Sequence, residues 1–185
     1  MLQKFLKSKL PTRHEVIPVF SIIIFFVFTW TLYTMFYYLP SWLGDMYTRD
    51  ILILSTYVFA FALFESLIFL GGMVVLAFLL PPRFFKDNFV AQGGFLAALV
   101  SLAAYLIHPK LGDAIPLRLL HLVQISIITL VGTVILIVLL SFLFDRLPRL
   151  TRMVNAFAEG MTIFAYIYLP LGLISLFVVL LRIIF

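Results

Sequence analysis

In the apolar run FALFESLIFLGGMVVLAFLL, residues 61–80, one side chain carries a carboxylate, Glu65. An acid in such a setting can take part in proton or substrate handling. Once protonated, it can instead donate a hydrogen bond from one helix to the next. A charge at the centre of a bilayer costs about 2.5–3.5 kcal/mol on insertion scales, so an acid there is expected to face protein and be paired or neutral. Low dielectric favours the neutral form unless a cation lies close.

Partners for Glu65 must come from hydroxyls and amides, because no Lys or Arg is predicted at its depth. Counting about 1.5 Å of rise per residue from the middle of each apolar segment places Thr29, Ser101 and Thr129 within roughly one turn of Glu65. Gln124 falls further toward one side. The expectation is an intramembrane polar cluster of Glu65, Thr29, Ser101, Gln124 and Thr129, with Glu65 as an interhelical donor. A protonatable transport site is the alternative.

The remaining chemistry-bearing residues are few. His108, Asp113 and His121 lie around one connection, and Asp45 and Asp50 in another. No two of them form a tight i, i+4 ligand pair, and there is no HExxH motif, so no metal site is predicted. The chain has no cysteine, which removes disulfides, thiolate metal sites and a thiol nucleophile. Neither a phosphate-binding glycine loop nor a nucleophile elbow is present. No catalytic residue and no cofactor are assigned.

The elements that must position these residues are set by composition. Of the 185 residues, 64% are hydrophobic and 11% charged, and mean hydropathy is +1.20. Soluble domains carry about 25% charged residues. The predicted class is therefore an all-α integral membrane protein, a single domain over residues 1–185.

Charges and prolines divide the chain into five apolar segments: 16–39, 51–80, 89–107, 117–144 and 156–184. Each is near or above the roughly 20 residues that cross the hydrocarbon as helix, which predicts a bundle of five transmembrane helices. Nine of the 13 Lys and Arg residues fall on the side of the N-terminus and four on the other. The positive-inside rule then predicts the N-terminus inside and the C-terminus outside. The first segment is too long for a secretory h-region and reads as a retained signal-anchor helix, with Tyr37, Tyr38 and Trp42 as an outer aromatic belt.

Small residues mark packing surfaces in membranes, where helices associate by close backbone approach. Gly71 and Gly72 in the second segment, and Gly94 and Ala98 in the third, predict that these two helices pack as an antiparallel hairpin. Arg146, Arg149 and Arg152 form a cytoplasmic cluster that would meet anionic lipid headgroups. The net charge of +5 belongs to such membrane-flanking segments, and no nucleic-acid partner is expected.

Three functional classes follow. The leading one is a non-catalytic polytopic subunit, accessory to or anchoring a larger membrane complex, with a membrane-protein partner or a homo-oligomer as its assembly. The others are a small transporter or channel built on Glu65, and a membrane-embedded lipid-modifying enzyme built on the outer His and Asp residues. The expected location is multi-pass in a bacterial cytoplasmic membrane.

Overall fold

The computed structural model describes residues 10–81, 85, 88–111 and 119–184, without the side chains of residues 104, 106–111 and 119–130. Among the described residues the chain is all-helical. Its helices are α1 (Arg13–Asp45), α2 (Thr48–Leu79), α3 (Phe89–Leu111), α4 (Leu119–Arg146) and α5 (Pro148–Ile184). Three of them, α1, α2 and α5, are long and apolar enough to cross a membrane.

The start of α1 is fixed locally. The Glu15 carboxylate accepts from the Thr12 backbone N–H at 2.6 Å and from the Thr12 hydroxyl at 2.8 Å. A carboxylate in the first turn also complements the positive end of the helix dipole. Several helices extend past the segments read from sequence. Helix α1 continues through Pro40 to Asp45, α3 runs through Pro109 to Leu111, and α5 begins at Pro148. Proline at the first helical position loses no bond that the helix would make, so only Leu147 separates α4 from α5.

Helix α1 is central. Its buried residues Val19, Ile22, Ile23, Ile24 and Phe28 face more than one neighbour. Val19, Ile22 and Ile23 pack with Met73 and Ala77 of α2, Phe89, Leu96 and Ala97 of α3, and Ala158 of α5. Ile24 and Phe28 pack with Ala62 and Leu63 of α2, beside Tyr168 and Leu169 of α5. Phe28 stacks on Tyr168 at 5.1 Å and on Phe59 at 6.2 Å between ring centroids.

Helix α5 comes close to α2 at Gly172. A methyl group placed there would lie 2.9 Å from Leu63 Cβ and 3.1 Å from Phe28 Cζ. Ser175, one turn along, is also buried, as is Ser66 on α2. Small side chains let membrane helices approach closely, as Gly172 does against Leu63 and Phe28.

Helix α3 adds to this trio on α1 and α5, and α4 sits outside it against α3. The glycines expected to pack α2 on α3 do not meet each other among the described residues. A methyl group on Gly94 would meet Ile22 Cδ1 at 2.6 Å and Val154 Cγ1 at 3.7 Å, side chains of α1 and α5. Gly71 and Gly72 are exposed, with nothing within 4 Å. The reason lies in the 100° step of the helix: Gly71 is half a revolution from Ala62, whose side of α2 faces α1 and α5. Ala98 is half-buried on α3.

Candidate functional site

Helices α1 and α2 are joined by Met46 and Tyr47 alone, so they run antiparallel, and residues equally far from the connection share a level. Between their outer faces lies an open groove of about 530 Å³. Trp30, Thr31, Thr34, Met35, Tyr38 and Trp42 form its α1 wall, and Tyr57, Val58, Phe61 and Glu65 its α2 wall. On α2 the spacing from Tyr57 through Phe61 to Glu65 is four residues each time, which aligns them in one ridge.

Tyr37, Tyr38 and Trp42 gather toward the connection, whereas Trp30 and Phe61 lie nearer the level of Glu65. Tyr38 stacks on Trp42 with centroids 6.3 Å apart, and Tyr37 meets Tyr38 edge-on at 5.1 Å. From α5, the Arg182 guanidinium carbon lies 6.0 Å from the Tyr57 ring centroid, a cation–π distance. Glu65 occupies the other end, near the middle of α2.

Glu65 is exposed and makes no hydrogen bond or ion pair among the described residues. The polar cluster expected around it does not assemble from the described side chains. Thr29 is exposed and outside the groove lining, and half-buried Ser101 lies on α3, which packs mainly on α1 and α5. The side chains of Gln124 and Thr129 lie outside the described residues, as do those of His108, Asp113 and His121.

Other hydroxyls are committed to their own helices. Ser66, adjacent to Glu65 in sequence, donates to the Ala62 carbonyl at 2.8 Å, Ser55 to Ile51 at 2.8 Å, and Ser21 to Ile17 at 2.9 Å. Such back-bonding satisfies a hydroxyl in an apolar helix without recruiting a neighbour. This local alternative explains why hydroxyls at a matching depth need not converge on an acid.

A second polar feature escaped the sequence reading. Gln92 on α3 is fully buried, and among the described residues neither its Oε1 nor its Nε2 has a partner; Asn155 Oδ1 on α5 is likewise buried and without a partner among them. The signal for Gln92 was its place beside Gly93 and Gly94, where close helix approach covers whatever stands next to the glycines.

Arg146, Arg149 and Arg152 are all exposed around the α4–α5 junction. Arg152 Nε donates to the Pro148 carbonyl at 3.4 Å, and Thr151 Oγ1 donates to the Phe144 carbonyl at 3.3 Å across the break. Nearby, Asn88 Nδ2 donates to Asp145 Oδ1 at 3.3 Å and ties the start of α3 to the end of α4. The described residues contain no cluster of His, Asp and Glu that could hold a metal ion.

What this arrangement offers chemically is recognition. An apolar, aromatic-rimmed trough ends at a single acid, and its walls are rigid helices rather than loops. No family model, curated protein or solved structure matches the chain.

Proposed function

We propose that the chain is a non-catalytic polytopic membrane protein, an accessory or anchoring subunit of a larger membrane complex. The observation that supports this reading most is Glu65: an exposed acid, unpartnered among the described residues, near the middle of a helix long and apolar enough to span. An acid at mid-bilayer is costly unless it meets a partner. A subunit whose acid is met by another chain accounts for it.

The finer membrane reading belongs to the same proposal. Five spans, with α3 and α4 crossing beside the three long helices, put Arg146, Arg149 and Arg152 on the cytoplasmic side. There they engage anionic headgroups, and the location is a bacterial cytoplasmic membrane. The Lys and Arg tally supports this orientation.

Solubilising the tagged protein from its native membrane in mild detergent tests the proposal. A stoichiometric membrane-protein partner is the expected result, and a protein recovered alone from every detergent and native-nanodisc preparation refutes it. The transporter reading draws on the same acid and calls for flux in vesicles that Glu65→Gln abolishes.

A further inference from the structure

We infer that the α1–α2 groove receives a transmembrane helix of a partner protein, and that this helix presents a basic side chain to Glu65. The inference rests on the accessory-subunit reading and gives that subunit a docking surface and a partner chemistry.

Depth selects the kind of occupant. Glu65 is at least about 20 Å of helix from either end of α2. Tyr57 and Arg182 mark the polar level at the groove mouth, about 12 Å along α2 from the acid. A diacyl lipid keeps its headgroup at that level and offers only hydrocarbon further in. A spanning helix can carry a polar group at any chosen depth.

Shape supports the same occupant. The α2 ridge of Tyr57, Phe61 and Glu65 runs beside an α1 wall that steps from Trp30 through Thr34 and Tyr38 to Trp42. Two antiparallel ridges with a trough between them accept the side-chain row of a third helix.

Charge separates a foreign helix from a second copy of this chain. Every Lys and Arg of the sequence lies in a connection, in the N-terminal segment or within about a turn and a half of a helix end. A second copy can bring no Lys or Arg to the level of Glu65. The partner must supply one near the middle of its own span.

The test uses the full chain in phosphatidylcholine vesicles. Because the protein has no cysteine, Gly44→Cys, at an exposed position with nothing within 4 Å, takes a single fluorescent donor. The probe is a synthetic Leu/Ala transmembrane peptide with one central Lys and an acceptor at its end, compared with the same peptide carrying central Leu. Energy transfer is expected to report association on the order of tenfold stronger for the Lys peptide. In Glu65→Leu the two peptides should associate equally, while the thermal midpoint of the protein is not lowered.

Equal association of both peptides with the wild-type protein overturns the inference. So does wild-type self-association that Glu65→Leu abolishes, which assigns the groove to a second copy. A native partner that copurifies undiminished with Glu65→Leu also overturns it, leaving the accessory-subunit reading intact with its interface elsewhere. Discrimination by the peptide in a protein that has no native partner would preserve the groove's preference and remove the functional reading instead.

Discussion

Gly172 lies directly against Leu63: a methyl group on the glycine would sit 2.9 Å from Leu63 Cβ, closer than carbon atoms approach without displacement. The obstructing atom is attached to the α2 backbone, so relief requires α5 to move away from α2. Gly172→Ala is expected to cost about 1–3 kcal/mol, the range for overpacking a filled interface. Gly71→Ala adds a better helix former in open space and should leave stability unchanged or raise it by up to about 1 kcal/mol. Equal thermal midpoints for the two variants in detergent would contradict this junction.

Gly94→Leu tests the repositioning of α3. Here the obstructing atom is Ile22 Cδ1, at 2.6 Å, the mobile end of a side chain on α1. The leucine should cost about 3 kcal/mol, at the upper end of overpacking. Ile22→Ala in the same molecule should restore part of the loss. If a substitution in α2 compensates and Ile22→Ala does not, α3 packs on α2 after all.

Gln92→Met keeps length and flexibility while removing two buried polar atoms that have no hydrogen-bond partner among the described residues. Desolvating such groups costs about 1–3 kcal/mol, so the variant is expected to unfold later than the parent by a comparable amount. A lower midpoint would reveal a hydrogen bond at Gln92.

Reporter fusions after Phe144 and at Phe185 test the orientation. The proposed five-span arrangement predicts the first on the cytoplasmic side and the second outside. Reporters active in the same compartment would remove α5 as a simple crossing.

The helices themselves were legible in the sequence because long apolar runs bounded by Pro81, Asp87 and Arg118 leave few other solutions. Their pairing was not. In a soluble helix the polar side identifies the surface, whereas α2 is apolar around its circumference and Phe61 and Leu63 read alike. Only packing separates the exposed ring from the buried side chain. Gly71 and Gly172 were equally small, yet one faces open space and the other a neighbouring backbone. Glu65 could be singled out by its charge. Its outward direction depended on the rotational setting of α2, which α1 and α5 determine.

The junction of Leu63 with Gly172 also sets an order of events on the ribosome. Helix α2 is synthesised well before α5, and all of α3 and α4 come between them. At about 5–20 residues per second, Leu63 waits on the order of ten seconds for the glycine that will cover it. During that interval the side of Leu63 that Gly172 will cover stays open to lipid or the insertion machinery, and a nascent chain arrested before α5 presents a surface that the finished protein conceals. Membrane quality control could therefore recognise an incomplete chain by the uncovered side of α2.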